Sequence, residues 1–245
     1  MRIEKRTACF FALLLMSTYT PALRSAEMTG RVRIATAKGT GHPVGSNGGV
    51  VLWLTPLDTA SAHPQTISME SPHPRLIQRN KVFDPHILAV QVGSVVDFPN
   101  HDPFFHNVFS LFNGKRFDLG LYEAGSTRGV RFDRAGVCYI FCNIHSQMSA
   151  VVVVVETPYY AVSDGRGDVV IPSIAYGRYQ LNLWEEHCAP KTLDQLSRQV
   201  SVEGKAVSLG GILLRESAQP AVAHLNKYGN QYDPEVFSSP LYVSP

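Results

Sequence analysis

The sequence predicts an all-β protein of two domains, and three observations support this class. Short runs rich in β-branched and aromatic residues recur along the chain, separated by clusters of Gly, Pro, Asn and Asp. No helical periodicity extends beyond a turn or two, except over residues 191–198. The 245 residues, 44% of them hydrophobic, can bury one large core or two small ones. Many short strands with such punctuation are typical of β-sandwiches and barrels.

Seven strands are predicted ahead of residue 157. They cover residues 31–35, 50–54, 87–92, 95–98, 108–111, 137–141 and 151–155. The last of them is five consecutive valines, which places apolar side chains on both of its faces. We therefore expect this strand to be central in a sheet or covered on both sides.

The pattern changes after residue 158 and predicts a second, small β-sandwich. Asp164-Gly165 lies between two apolar runs, which predicts a strand, a tight turn and a second strand forming a hairpin. Further strands are predicted at residues 176–184, 198–202 and 207–214. From residue 217 onward there is no periodicity, so we expect an irregular tail.

The first 26 residues have the features of a secretory signal peptide. The basic residues Arg2, Lys5 and Arg6 precede an apolar run over residues 8–16, and polar sequence follows. This run is too short for a bilayer core of about 30 Å. We expect cleavage, a periplasmic location and no stable membrane insertion afterwards, with a retained anchor as the alternative. A formal charge of +2 without long charged runs argues against a nucleic-acid partner.

Removal of the signal segment would leave three cysteines, Cys138, Cys142 and Cys188. An odd number is unusual in an exported protein, where disulfides can form. A metal-bound thiolate would account for one of the three. We expect Cys138 and Cys188 either to form a disulfide or to remain buried free thiols.

A candidate metal-binding set lies near the middle of the chain. Alternation along the strand at residues 137–141 directs Cys142 inward, and the turn that follows returns His145 and Met148 toward it. His106 precedes the strand at residues 108–111 and supplies a second imidazole. A trigonal His2Cys site with a weak axial Met suits copper in both of its oxidation states. We therefore predict one copper ion per chain.

Residues 94–110 (SVVDFPNHDPFFHNVFS) and 136–148 (GVCYIFCNIHSQM) resemble the cupredoxin family, in particular its plastocyanin and amicyanin type. They also resemble methylamine utilisation proteins that contain a cupredoxin domain. The resemblance implies a Greek-key β-sandwich holding type 1 copper, with His106, Cys142 and His145 as strong ligands and Met148 as the axial one. It further implies that Asn107 ties the two ligand loops together by hydrogen bonding. Ser146 stands where amicyanin-like loops often have Pro.

Residues 29–54 and 162–179 resemble the opening strands and the continuation of carboxypeptidase regulatory-like domains, which are small immunoglobulin- or transthyretin-like β-sandwiches. The expected cupredoxin domain would then be inserted into a loop of this second sandwich. The predicted division is a signal peptide at 1–26, first sandwich strands at 27–62, a cupredoxin domain at 63–156, the remaining sandwich strands at 157–216 and a tail at 217–245.

The predicted function is periplasmic transfer of single electrons to and from a transient redox protein partner, without catalysis. His145 is the expected solvent-facing exit for the electron, and Phe104 and Phe105 are the expected apolar docking patch. No nucleophile triad or paired-carboxylate set indicates an enzyme. The other histidines are expected to be surface or structural residues: His42, His63, His73, His86, His101, His187 and His224.

Three other functions stay open. The chain could be a copper-binding or carbohydrate-binding structural module, although Trp53 and Trp184 lie in alternating strands and are expected in the core. It could hold a binuclear CuA centre that uses Cys138 and Cys142. It could also be an accessory domain of a multicopper oxidase, which the lack of a second His-rich copper motif disfavours.

Overall fold

The structure, a computed structural model, describes residues 25–35, 45–58, 72–111, 114–217 and 224–232. Within these ranges the protein is almost entirely β, which confirms the predicted fold class. The strands are β1 (Ser25–Ala35), β2 (Val51–Pro56), β3 (Ile77–Arg79), β4 (Val82–Asp84), β5 (Ile87–Gln91), β6 (Val95–Pro99), β7 (Val108–Ser110), β8 (Phe117–Asp118), β9 (Thr127–Arg131), β10 (Gly136–Cys142), β11 (Ser149–Val155), β12 (Tyr160–Val162), β13 (Asp168–Ala175), β14 (Gly177–Trp184), β15 (Arg198–Val202) and β16 (Ala206–Arg215).

The single helix of the described residues, α1 (Pro190–Leu196), confirms the helical pattern seen at residues 191–198. Pro190 stands at the start of the helix, where its missing N–H group costs no hydrogen bond. Leu193 is its buried residue and packs in the core of the second group of strands. No helix of the described residues has both the length and the apolar character needed to cross a membrane.

Strands β3 to β11 build the part of the molecule that carries the candidate metal ligands. A five-stranded sheet has the order β5-β11-β10-β7-β8, and the pairs β6-β9 and β3-β4 accompany it. Their shared core contains Phe98, Val108, Ile140 and Val152, each fully buried. Because alternate residues of a strand face the same side, Ile140 and Cys142 at the end of β10 both point into this core.

Strands from both ends of the chain build the second group. One sheet has the order β13-β1-β16 and the other β12-β2-β14-β15. Their common core includes Met28, Leu52, Tyr179 and Ile212. In the described part of the chain, β1 and β2 therefore form ladders with strands that follow residue 159 and with none of β3 to β11.

The valine strand β11 has both of its faces covered, as its sequence predicts. Val152 and Val154 belong to the core beside the candidate ligands. Val151, Val153 and Val155 face the other way, where Val51 and the half-buried Trp53 and Trp184 from the second group pack against them. Burial of one valine side chain is worth roughly 1.5–3 kcal/mol, so the three outward-facing valines of this strand help to hold the two groups together.

The predicted hairpin around Asp164-Gly165 is wrong, although both of its strands form. Strand β12 pairs with β2 in one sheet, and β13 pairs with β1 in the other. The turn itself is present, because Asp164 Oδ1 accepts the N–H groups of Arg166 and Asp168, each at 2.9 Å. A side chain at Gly167 would collide with the Val32 carbonyl, so this turn requires glycine. The turn links two sheets instead of closing one.

The cysteines Cys138, Cys142 and Cys188 are all buried free thiols, so Cys138 and Cys188 do not form a disulfide. Cys138 lies in the core beside the candidate ligands, and Cys188 lies in the core of the second group. Of the predicted signal segment, residues 1–24 lie outside the described residues, and β1 already begins at Ser25. His42 and His63, together with residues 218–223 and 233–245 of the predicted tail, also lie outside them.

Candidate metal centre

Strand pairing brings His106 and Cys142 together. Cys142 is the last residue of β10 and pairs with Val108, the first residue of β7. His106 lies two residues before β7, close to the Cys142 side chain. The Cys142 Sγ atom lies 3.5 Å from His106 Nδ1 and 3.6 Å from His145 Nδ1.

The separations of these three donor atoms fit a metal ion. All three lie within 4.8 Å of one another. Two ligands bound at about 2.0 and 2.3 Å to one ion, at a tetrahedral angle, are about 3.5 Å apart. His106 and Cys142 are fully buried, and His145 is 4% exposed. A soft sulfur with two imidazoles is a donor set that suits copper.

The turn after Cys142 is closed by its own main chain. The Cys142 N–H donates to the Met148 carbonyl at 3.2 Å, and the Met148 N–H donates to the His145 carbonyl at 3.0 Å. Met148 is fully buried in the same core as Cys142. The sequence-predicted residues thus lie together at one end of this core, with three of them in direct donor contact.

Asn107 joins the two ligand loops through its main chain. The Asn143 N–H donates to the Asn107 carbonyl at 2.8 Å. The Asn107 side chain points elsewhere and donates to Asp118 Oδ1 at 2.6 Å. The hydrogen-bonded link between the ligand loops that the family resemblance implies is therefore present. The main-chain carbonyl of Asn107 forms it, and the Asn107 side-chain amide does not.

The electrostatics of the cluster favour neutral imidazoles. Burial, followed by the charge of the neighbouring His106, lowers the pKa of His145 to about 4. Burial also lowers the pKa of His106, against the opposing effect of Asp102. Metal ligands must be deprotonated, so both histidines are ready to coordinate at neutral pH.

The Cys142 sulfur is held by main-chain donors. Burial raises the pKa of its thiol, while hydrogen bonds from the main chain of Asn107, Ile144 and His145 act in the opposite direction. These donors point at the atom on which negative charge resides in a thiolate. They therefore support the anionic form once a cation is bound nearby.

Asp102 contacts the candidate ligand His106, which the sequence patterns did not reveal. Its Oδ2 lies 2.9 Å from His106 Nε2, on the far side of the ring from the sulfur, and the residue is only 4% exposed. Its carboxylate also accepts the N–H groups of Asn80 and Lys81, at 2.5 and 3.0 Å. Such a carboxylate fixes the ring orientation and the tautomer of a ligating histidine. In the sequence, the separation of four residues between Asp102 and His106 is the pattern that could have indicated this contact.

The described part of the tail contacts the ligand turn. The Tyr232 hydroxyl donates to the Cys142 carbonyl at 2.8 Å, and the Lys227 N–H donates to Asn143 Oδ1 at 2.9 Å. The His224 ring stacks on Phe141 with 3.9 Å between centroids. Residues 224–232 contain turns but no strand or helix, and they hold the turn from its outer side.

The expectation that His145 is solvent-facing is wrong. The residue is 4% exposed because Phe104 lies over the cluster, with ring centroids 5.5 Å from His145 and 5.3 Å from His106. Phe104 and Phe105 are half-buried. His101, in the same loop, is exposed, and its Nδ1 atom contacts Arg79 instead of the cluster.

Cys138 takes no part in the donor cluster. Its Sγ atom lies 3.2 Å from Ser110 Oγ and donates to the Lys115 carbonyl at 3.2 Å. Burial raises the pKa of this thiol. Among the described residues the cluster contains one cysteine, which disfavours a CuA centre that would need two.

No family model and no curated protein matches the chain. Several solved structures are similar to a part of it. A purple cupredoxin from Nitrosopumilus maritimus is 24% identical over 34% of this chain and 99% of its own, with a TM-score of 0.31. A reduced amicyanin variant is 22% identical over 34% of this chain and 82% of its own, with a TM-score of 0.32. A copper-containing nitrite reductase from Thermus scotoductus SA-01 is 24% identical over 42% of this chain and 28% of its own, with a TM-score of 0.35.

Proposed function

We propose that this chain is a periplasmic type 1 (blue) copper protein that carries single electrons between redox partners. The buried convergence of one sulfur and two imidazole nitrogens within 4.8 Å carries the proposal. His106, Cys142 and His145 would be the strong ligands and Met148 the weak axial one. When bound, copper supplies a Cu(II)/Cu(I) couple. The donor set suits both oxidation states of this couple.

The surroundings of the ligands support fast electron exchange because they hold the donors in place. Asp102 orients the His106 ring, and the main-chain tie between Asn107 and Asn143 joins the two ligand loops. Tyr232 adds a hydrogen bond to the Cys142 carbonyl from outside. Ligands that are already positioned and buried move little when an electron arrives, which keeps the barrier for transfer low.

The face over Phe104 is the proposed contact surface for the redox partner. Its ring covers both histidines, so it offers a short path from the cluster to the surface. Lys81 Nζ lies 5.3 Å from the Phe104 centroid, and Arg79 is exposed nearby. Positive charge beside a small apolar patch favours a transient encounter with an acidic partner.

The domain division is part of the proposal. Residues 63–156 would form a cupredoxin domain, inserted into a second sandwich made of residues 27–62 and 157–216 and followed by a tail at 217–245. The ladders that β1 and β2 form with β12 to β16 support this threading. The second sandwich would act as a scaffold for the first.

Addition of Cu(II) to the purified mature protein tests the proposal. The expected result is one copper per chain, an intense blue thiolate-to-copper absorption band and a reversible one-electron voltammogram. A colourless product would support a copper-binding or carbohydrate-binding structural module instead. A purple spectrum with two coppers would support CuA, and a blue protein without reversible voltammetry would support storage.

A further inference from the structure

A second cluster of metal-ligating side chains lies in the other sandwich. Glu185 and His187 follow the end of β14, and Glu216 follows the end of β16. One donor atom from each of the three lies within 4.8 Å of the others. Hydrogen bonds from the Ser217 N–H and hydroxyl to the His187 carbonyl, at 2.9 and 2.8 Å, hold the two segments side by side.

This cluster concentrates buried negative charge. Glu185 is 4% exposed and Glu216 is 8% exposed. Burial raises the pKa of the Cys188 thiol, and the hydrogen bond and charge of Glu185 and the charge of Glu216 raise it further. Bringing two buried carboxylates together is costly unless positive charge accompanies them.

The donor geometry fits a single bound ion. His187 Nδ1 lies 3.3 Å from Glu185 Oε1. Two ligands at about 2.0–2.1 Å from a tetrahedral ion are separated by about 3.3 Å. The Glu185 carboxylate also accepts the His187 N–H at 2.9 Å, which orients it toward the cluster.

A route for an ion is present. Glu185 and His187 line a cavity of about 340 Å³, whose other walls include His86, Ser163 and Glu186. Glu186 forms a hydrogen bond with His86 at this cavity, with 2.7 Å between Oε2 and Nε2. A hydrated ion can therefore reach the cluster from one side, where a water molecule could remain as a further ligand.

We propose that Glu185, His187 and Glu216 bind one divalent metal ion of the zinc class. Carboxylate oxygens and an imidazole nitrogen form a donor set that zinc accepts, and three protein ligands leave a position for water. The cluster has no thiolate, so it lacks the soft donor that marks the Cys142 cluster. This second site does not depend on the copper proposal, because it shares no residue with it.

Zinc binding to the full chain tests the proposal. Because zinc also accepts Cys and His ligands, the measurement uses the variant Cys142→Ala, in which the first cluster cannot compete effectively. After incubation with Zn²⁺ alone and gel filtration, metal analysis is expected to give one zinc per chain. Retention of no zinc would overturn the proposal.

Variants in the same background locate the bound ion. The double variant Glu185→Gln/Glu216→Gln is expected to weaken zinc binding at least about a hundredfold. His187→Gln is a second variant, which removes the imidazole donor at a residue that is less buried than the two glutamates. The matched control is Glu186→Gln, which removes a neighbouring carboxylate of the same cavity and should retain one zinc. Equal zinc retention by His187→Gln and the control would place the ion elsewhere and overturn the assignment.

Cobalt provides an independent optical test of the donors. In the Cys142→Ala variant, which lacks the thiolate of the first cluster, Co²⁺ bound through oxygen and nitrogen alone should give weak visible bands. Strong near-ultraviolet thiolate-to-cobalt bands would mean that Cys188 is a ligand, which contradicts the proposed donor set.

Discussion

The two donor clusters of this protein differ in chemistry and in how the chain assembles them. The first combines a sulfur with two imidazoles, and two of its three donors come from one tight turn. The second combines two carboxylates with one imidazole and joins the ends of β14 and β16, which are not neighbours in a sheet. Donor sets of different softness, one with a thiol and one with carboxylates, thus form at strand ends in two parts of the same chain, and the strand ends decide which donors meet.

The largest expected effect is the loss of a thiolate-to-copper absorption band, which distinguishes the cysteine of the first cluster from the cysteine near the second. Cys142→Ser should abolish the intense thiolate-to-copper band, because oxygen replaces the one sulfur among the described residues that lies in donor contact with both imidazoles. The matched control, Cys188→Ser, removes another buried thiol that lies beside the second cluster. Absorption spectra during Cu(II) titration check the prediction, and loss of the band in the control would mean that the wrong sulfur has been assigned.

A smaller effect is expected from the carboxylate behind His106. Asp102→Asn keeps the shape but removes a buried negative charge at 2.9 Å from the ring. Because that charge favours Cu(II) over Cu(I), its loss should raise the reduction potential by tens of millivolts, about 59 mV for each tenfold change in relative affinity. Copper affinity should fall about 10–100-fold.

Protein-film voltammetry and competition with a chelator measure these two quantities. The control is Asp133→Asn, because Asp133 is an exposed carboxylate paired with Lys115. An unchanged potential in Asp102→Asn would show that this carboxylate only supports the fold.

The contact between the tail and the ligand turn should contribute about 1 kcal/mol to the free energy of unfolding. Tyr232→Phe removes the hydroxyl that donates to the Cys142 carbonyl, and a typical hydrogen bond of this kind is worth about that amount. Tyr228→Phe is the control, since Tyr228 is 73% exposed. Denaturant unfolding monitored by fluorescence gives both values, and equal stability of the two variants would show that the Tyr232 hydrogen bond does not stabilise the ligand turn.

The smallest expected effect is a pH dependence at the junction of the two groups. His86 contacts the Ser149 carbonyl at 3.0 Å and Glu186 at 2.7 Å, so it links β11 to the end of β14. Its hydrogen bond with Glu186 raises its pKa above the usual 6.5. The stabilisation is therefore complete below pH 6.5 and disappears as the pH rises through the folded-state pKa.

The size of this pH effect should stay below about 1 kcal/mol, because the His86 side chain is 48% exposed and solvent screens the pair. Unfolding experiments from pH 6 to 9 should show the loss in the parent protein and not in His86→Gln. His101→Gln serves as the control, because His101 is an exposed histidine whose ring contacts Arg79 and, among the described residues, no carboxylate. A parallel pH profile in all three proteins would assign the dependence to other groups.

Much of the first cluster could be predicted because its residues are close in sequence. Cys142, His145 and Met148 fall within seven residues at the end of an alternating strand, so the turn alone brings them together. The five valines likewise revealed that β11 is covered on both faces. Local periodicity carries this information without knowledge of the tertiary fold.

The missed features depend on which distant segments meet. The role of Asp102 relies on the turn at Asn80 and Lys81, and the second cluster relies on the approach of Glu216 to Glu185. The exposure of His145 depends on where Phe104 comes to lie. The wrong hairpin has the same cause, because turn residues indicate a reversal of the chain but not which sheet each strand joins.

The central claim is that one copper ion binds between His106, Cys142 and His145. X-ray absorption spectroscopy at the copper edge tests it directly on the copper-loaded full chain. The account predicts one short copper–sulfur bond and two copper–nitrogen bonds, with one copper per chain. A copper coordinated only by nitrogen and oxygen, or a copper–copper distance from a pair of ions, would contradict it.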